Sequence, residues 1–521
     1  MKIGINSINI SIKENQEKAL LKHFETLGIE KENIKQISYQ KKSIDSRKKT
    51  DIKFVYNIEL ELNKDIKINN DKIFLVEKKE NIKRLSKKLE GRIAVIGTGP
   101  AGLFSALRLC EYGYKPVIFE RGAKVEERDK DIDNFINLSV LNPNSNIQFG
   151  EGGAGTYSDG KLNTRVKSEY MEYVFEEFVK NGAQEEIMYD YKPHIGTDIL
   201  KKVVVNLREK IISMGGTFLF KHHISNFKII NDEIKGIEIN NEYYEEFDHV
   251  ILAIGHSARD TYKKLHELGV FMEAKDFAIG TRIEHPREDI DTMQFGKFSG
   301  HKNLGSATYN FTYNNPQEKR GVFSFCMCPG GEIVNASSTE GQALVNGMSY
   351  SKRDGEFSNS AVVVALRKED FGTDVFAGMR LQESLEKKAY DIIGGNGALA
   401  QNLQDFLKDK KTSKKISSSY KMDLHSCNLN EFFPDLITRN LHLAFDSWAR
   451  NKYFVSERAN LIGPETRTSS PVRIVRNQEG RSLNIKNLYP IGEGAGYAGG
   501  ITSASIDGVK IVDLMFGKLE G

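Results

Sequence analysis

Apolar positions change their period several times along the chain, and each change predicts an element. Ile3, Ile5, Ile8, Ile10 and Ile12 recur at close to a two-residue spacing, as on a strand with one buried face. An amphipathic helical pattern follows from about Glu14 to Leu27, then strand-like runs from Ile34 to Lys41 and Ile52 to Leu62. Together these predict a small α+β sandwich. Ile93 to Ile96 is an unbroken β-branched run, Leu103, Ala106, Leu107 and Leu109 keep helical spacing, and Val117 to Phe119 is a second apolar run. Strand, helix, strand is the expected order. Helical patterns cover about 169–181 and 198–214, residues 217–247 alternate as short strands, and Asn231-Asp232 marks a hairpin turn between arms 227–230 and 234–239. Beyond about residue 276 the pattern gives strands at 277–285, 306–313 and 321–328, then helices at 376–392 and 434–450. A last strand (487–491) leads into a final helix. The pattern predicts an α/β protein in four stretches: 1–90, a small N-terminal α+β domain; 91–275 and 456–521, two parts of one α/β domain; and 276–455, an inserted α+β substrate domain.

Composition narrows the class only a little. Over 521 residues, 39% apolar and 28% charged is ordinary globular usage. The N-terminus lacks the apolar core of a signal peptide, and no apolar run approaches the ~18 residues of a membrane span. Four cysteines without framework spacing suit a reducing compartment, so a cytoplasmic location is expected. Residues 1–90 hold 21 Lys and Arg against 14 Asp and Glu, a net +7 in a chain of net +3. That makes the first domain basic. Its Lys41, Lys42, Arg47, Lys48 and Lys49 lack interleaved aromatics, which favours a solvated face over an RNA or acidic-protein partner. Nothing suggests DNA binding.

The glycines carry the chemistry. Gly97-Thr98-Gly99-Pro100-Ala101-Gly102 joins the first strand to the helix, which continues through Ala106 to Gly113. Gly97 allows the tight turn, Gly99 the approach of a pyrophosphate to the backbone, and Gly102 close helix–strand contact. The next strand ends at Glu120, about 20 residues on, where a carboxylate accepts from a ribose diol; Arg121 follows it. This fingerprint alone leaves NAD and FAD open. Near the C-terminus, Gly492-Glu493-Gly494-Ala495-Gly496 and Gly499-Gly500-Ile501-Thr502-Ser503-Ala504 follow the last strand with too little chain left for a second Rossmann unit. A third sequence, Gly395-Asn396-Gly397-Ala398-Leu399-Ala400, mimics GxGxxA but follows a helical stretch rather than a strand. A second dinucleotide site is therefore not expected.

The C-terminal cluster resembles the closing motif of glutathione-reductase-like flavoproteins. The resemblance implies FAD, an acidic residue (here Glu493) on the ribitol, and a helix N-terminus facing the flavin pyrimidine ring. Asp248 to Gly255 resembles the strand those proteins place beside the cofactor, with Ile254 in place of the usual Thr. Gly150-Glu151-Gly152-Gly153-Ala154-Gly155-Thr156 resembles their glycine loop over the flavin; it holds no histidine, so the FAD is expected to be non-covalent. The chain as a whole resembles the bacterial FAD-dependent dehydrogenases of unassigned substrate. Segments carrying that likeness are Lys42 to Arg47, Lys192 to Asp198, Arg282 to Pro286, Phe325 to Gly331 and Glu465 to Pro471. The resemblance implies a flavin oxidoreductase acting on an unidentified small molecule and brings no established reaction; if NAD(P)H supplies the electrons, it visits the flavin without a dinucleotide domain of its own. The competing reading is a flavin redox sensor in an RNA- or protein-binding module built on the basic domain.

A flavin needs from its protein a placed substrate, a tuned ring and a proton donor or acceptor. Arg467, in a Ser/Thr-rich turn, is a candidate for holding a substrate carboxylate or the flavin C2 carbonyl; the alternative is a structural pair with Glu465 or a nearby acid. His194 and His285, each beside a proline in a turn, are candidate proton donors; the alternative for each is a hydrogen-bonded loop residue. Arg282 and Glu284 are expected to pair along one strand. Cys326 and Cys328 stand two apart, hence on one strand face; CxC is not the CxxC or CxxxxC spacing of disulfide-reducing flavoproteins, and a bridge between neighbours so close is expected to be strained, so they are read either as packing or, with Gly330 and Gly331 leaving room for a substrate, as thiols near the flavin. No metal site is expected, since His425 and Cys427 are poorly placed to complete a zinc set with them.

Overall fold

Five short strands lie parallel in the order Leu488–Pro490, His249–Leu252, Ile93–Ile96, Val117–Glu120, Thr217–Phe220. The three central ones are almost wholly buried, as unbroken apolar runs must be when helices cover both sheet faces. The computed structural model describes residues 1–67, 70–76 and 89–517. Helix Pro100–Glu111 starts directly from the first glycine turn and packs against the final helix, Ile501–Met515. Their close crossing depends on Gly508, where a Cβ would stand 2.4 Å from the Ala101 carbonyl oxygen. A buried ion pair, Arg108 Nε to Asp513 Oδ1 at 2.7 Å, joins the same helices. Helices Tyr170–Lys180 and Thr197–Ser213 fall where the periodicity puts them. So does the hairpin of Ile224–Ile230 and Glu233–Ile239, whose Asn231 and Asp232 both take positive φ (53° and 62°).

A second, seven-stranded sheet runs in the order Thr312–Asn315, Arg320–Cys328, Phe357–Leu366, Phe277–Pro286, Asn460–Glu465, Ala398–Asn402, Leu424–Ser426. Its third strand, Phe357–Leu366, corresponds to no element expected from the sequence. The strand expected over 306–313 begins only at Thr312, because donors before it bond to side chains instead of a ladder: Ala307 N to Asp291 Oδ1 (2.7 Å) and Phe311 N to Ser324 Oγ (2.8 Å). Ala398–Asn402 is a strand, so the third glycine cluster leads into a sheet and forms no phosphate loop. Asn460–Glu465 is hydrogen-bonded to Phe277–Pro286, so this sheet draws in residues beyond 456. Helices Ala377–Ile393 and Asp435–Trp448 match their expected spans.

The N-terminal unit is a four-stranded antiparallel sheet, Ile34–Asp45, Lys53–Leu62, Lys2–Ser11, Ile73–Leu75, with helix Gln16–Thr26 against it. Lys53–Leu62 alternates strictly between half-buried and buried positions. It touches both other units: Asn303 Nδ2 donates to Ile12 O (2.8 Å), and Lys42 exchanges backbone bonds with Tyr189 (2.7 Å) and Tyr191 (2.8 Å). The boundary expected at the charged run before Gly91 falls largely on 77–88, outside the described residues.

Candidate active site

A single cleft follows the C-terminal ends of the parallel strands and reaches across to the end of Arg320–Cys328 in the second sheet. Ligands of open α/β sheets bind at such strand ends. At its first end, Glu120 is buried and both carboxylate oxygens are engaged. Oε2 accepts from Thr98 N (3.0 Å) and Thr98 Oγ1 (2.7 Å), and Oε1 from Gly122 N (2.9 Å) and Gly150 N (3.1 Å). Arg121, in the same wall, forks onto Asp260 (3.0 and 3.1 Å) and lies over the Phe149 ring.

The glycines divide into two kinds. Some are packing necessities: a Cβ at Gly97 (φ +102°) would meet the Ala253 carbonyl oxygen at 2.3 Å, at Gly102 the Gly97 oxygen at 1.9 Å, at Gly152 the Thr156 hydroxyl at 2.0 Å, and at Gly492 the Ala101 Cβ at 2.7 Å. Gly153 and Gly155 press the glycine loop onto the Gly99 turn and onto Ile501. The others border open space. A Cβ at Gly99 finds no atom nearer than 3.9 Å, and at Gly255, Gly499 and Gly500 none within 4 Å. This is a cradle that side chains would fill, which fits a long cofactor threaded past bare backbone. The first turn of Ile501–Met515 faces it through Gly500, Ile501 and Ala504, and Pro100 and Ala101 line it opposite. Thr502 turns away, its hydroxyl donating to Leu162 O (2.8 Å).

Glu493 lines the cleft with His256, whose Nδ1 stands 3.4 Å from Glu493 Oε1. His256 Nε2 is buried with no hydrogen-bond partner among the described residues, a polar atom that a bound cofactor or substrate would satisfy. The sequence signal was its position directly after Gly255. Asp159 and Lys161 were also overlooked, although Ser158-Asp159-Gly160-Lys161 follows the glycine loop at once. They form the far end of the cleft with Asn163, Cys326, Asn346 and Glu465. Lys161 Nζ lies 2.9 Å from Asp159 Oδ2, and Arg353 grips the same carboxylate (2.9 and 2.5 Å). Burial acts to raise the Asp159 pKa, but Lys161 and Arg353 outweigh it and hold this group far below the usual carboxylate range.

Five expectations need correction. Arg467 reaches the cleft wall, yet all five of its N–H donors are used by the protein: Glu386 (3.0 and 2.7 Å), Ser257 (3.2 Å), Ser338 (2.7 Å) and Gln342 (3.0 Å). It is a buried lock on Glu386, with no fork left for a carboxylate. Arg282 pairs with Glu465 (2.7 Å) rather than Glu284, which is bonded to Ser419. His194 lies outside the cleft wall; its Nε2 contacts Ser351 O (3.1 Å), and burial with the nearby Arg353 pushes its pKa down to about 4, so it is a neutral structural donor. His285 is likewise buried on Phe454 O (2.8 Å). Finally, Gly330 and Gly331 leave no room: a Cβ would strike Arg353 O at 1.9 Å and Met348 O at 2.3 Å.

The two cysteines are set by a bulge. Phe325 pairs with Ala361 and Cys328 with Asn359, so Cys326 and Met327 together oppose one residue, and Cys326 takes φ +46°. Cys326 borders the cleft, whereas Cys328 is fully buried behind it.

Among known families, residues 276–468 match the model described as FAD-dependent protein, C-terminal domain-like, and residues 1–61 match a domain of unknown function, DUF8436. A Clostridium beijerinckii protein described as uncharacterized is 42% identical over 531 residues, covering 100% of this chain and 99% of its own. Among solved structures, glycine oxidase from Bacillus cereus aligns at 12% identity and a TM-score of 0.32, over 83% of this chain and 96% of its own. CtdE in complex with FAD aligns at 11% identity and a TM-score of 0.31, over 82% and 83%. With a full-length relative, a matching family model and a glycine cradle of the right kind, the chain belongs to a family of FAD-dependent proteins, and FAD is its cofactor.

Proposed function

We propose that this protein is an FAD-dependent oxidoreductase that moves two electrons between its flavin and a small-molecule substrate held at the Lys161 end of the cleft. The observation supporting it is continuity: one cleft runs from the ribose-type carboxylate Glu120 to a polar chamber lined by Asp159, Lys161, Asn163 and Cys326. The bound flavin supplies the two-electron chemistry. Glu120 would hold the adenosine ribose through its buried carboxylate. Bare backbone at Gly99, under the Gly153 loop, admits the pyrophosphate, and the Gly500–Ile501 helix start offers N–H groups and the positive end of a helix dipole to the ring. Glu493 orients the ribitol. In the chamber, Lys161 Nζ keeps its proton because Asp159 lies against it, despite burial. It is the group that holds a proton for the reduced substrate atom. With the third glycine cluster in a sheet, NAD(P)H, if it is the donor, meets the flavin without a dinucleotide domain of its own.

The test is direct. Purified protein is expected to be yellow and to release FAD, not FMN, on acid treatment. Stopped-flow mixing with NADH, NADPH, dithionite and dithiols then identifies the reductant. Failure to bind FAD on reconstitution, or a flavin that dithionite reduces but none of the other donors nor any screened substrate does, overturns the reading.

A further inference from the structure

We propose that Cys326 and Cys328 form a redox-active dithiol that exchanges with small disulfides in the cleft; this rests on the oxidoreductase reading and names its substrate class. Three observations carry it. First, Cys326 occupies the left-handed position of a bulge, where glycine is the ordinary residue; a Cβ-bearing side chain kept in so unfavourable a backbone turns its thiol to the cleft wall. Second, the two cysteines flank the bulge, Cys328 Sγ donating to the Cys326 carbonyl oxygen (3.4 Å), with Cys326 at the cleft and Cys328 buried, the arrangement of an attacking and a resolving thiol. Third, two cations face them. Arg282 donates to Cys326 O (2.6 Å) and Cys328 Sγ (3.7 Å), and Lys161 Nζ, buried beside Asp159, makes no well-aligned hydrogen bond among the described residues. The pair is thus more than two small packing residues on a strand.

The thiols are inequivalent. The neighbouring Cys328 thiol favours a Cys326 thiolate, and Lys161 and Arg282 add to this against burial and Asp159. Cys328 is pushed the other way, first by its neighbour Cys326 and then by burial. Glu465 also faces the pair, but burial pushes its pKa up to about 7 and Arg282 lies on it, so it opposes the thiolate weakly. The exchange balances without another reactant. Cys326 thiolate attacks one sulfur of RS–SR, forming a mixed disulfide and releasing RS⁻. Cys328 then attacks the Cys326 sulfur, its proton goes to the solvent or the departing thiolate, and the second RS⁻ leaves. The dithiol is oxidised to a disulfide and the substrate reduced to two thiols.

The probe is 5,5′-dithiobis(2-nitrobenzoate) on FAD-loaded protein reduced with dithiothreitol and desalted. The wild type is expected to release two equivalents of chromophore in a fast phase, leaving a protein lighter by two hydrogens with residues 326 and 328 linked in the peptide map. Cys328→Ser should release one equivalent and keep an adduct on Cys326; Cys326→Ser should lose the fast phase, slowing by about tenfold or more. In Lys161→Met, iodoacetamide labelling of Cys326 at pH 6 should slow while labelling at pH 9 is retained, a change packing alone would not produce. A stable wild-type mixed disulfide with no internal bridge, or equal slow reaction of wild type and Cys326→Ser, overturns the proposal. FAD content and reducibility, read on the same wild-type preparation, report on the oxidoreductase reading: a chain that binds and reduces FAD but shows no thiol exchange loses only this inference.

Discussion

Replacing Gly99 by valine separates cofactor binding from folding more cleanly than any other change in the cleft. Gly99 has φ −67° and ψ 178°, open to every residue type, and the first added carbon stands 3.9 Å from its nearest protein neighbour, Gly153 Cα. No clash with the folded chain is therefore expected from that carbon. The structural cost is mainly at the helix N-cap, where glycine is preferred over aliphatic residues by about 1 kcal/mol. The two methyl groups, however, project into the cleft that Gly99 borders, where the pyrophosphate is placed. Binding should be lost, and with it the ligand-linked stabilisation, about 2.7 kcal/mol when free FAD is a hundredfold above Kd. Flavin per chain is measured by absorbance after acid release, and melting is followed with and without added FAD. Wild type should carry one FAD and melt higher when it is added. Gly99→Val should be colourless, melt close to the wild-type apoprotein, and show no shift. Gly97→Val is the contrast: its Cβ meets the Ala253 oxygen at 2.3 Å from a φ of +102°, so it should lose fold and flavin together. Stoichiometric FAD in soluble Gly99→Val would refute the placement of the pyrophosphate.

Two further outcomes test the corrected roles. Arg467→Met should destabilise the protein by about 3–5 kcal/mol, because it strips the main cation from a fully buried carboxylate; Arg467 and Arg259 hold Glu386 down to about 2 against burial. Thermal denaturation reads this, and an unchanged melting temperature with a raised KM would instead restore Arg467 as a substrate clamp. Burial raises Glu284 from 4.5 to about 7 despite its serine partners, so folding favours its protonated form. Its contribution, on the order of 3 kcal/mol by linkage, is complete below pH 4.5 and lost as pH rises through 7. The melting temperature should fall over that interval and Glu284→Gln should flatten part of the slope, Glu151 and Glu465 being raised in the same sense; an unaltered slope contradicts this.

The sequence by itself determined what local sterics and period decide. The strand–turn–helix at Gly97, the hairpin at Asn231-Asp232, the alternation of Lys53–Leu62 and the buried strands of the first sheet are legible because each constraint acts within a few residues. Glycine spacing likewise pointed to a dinucleotide cradle. Tertiary structure alone decided which segments meet. Arg467 is matched to Glu386, 81 positions away, rather than Glu465 two positions away, because the helix Ala377–Ile393 brings that acid under the turn. Arg282 finds Glu465 across a strand pair, not Glu284 along its own strand. The cleft's polar end depends on a bulge, which breaks the two-residue period that would have put Cys326 and Cys328 in register on one face. Lys161 and His256 became visible as site residues only when two sheets, each formed from distant parts of the chain, closed around one space. Pairings of this kind are chosen by the global packing of apolar faces, and the charged and thiol groups take whatever partners that packing leaves in reach.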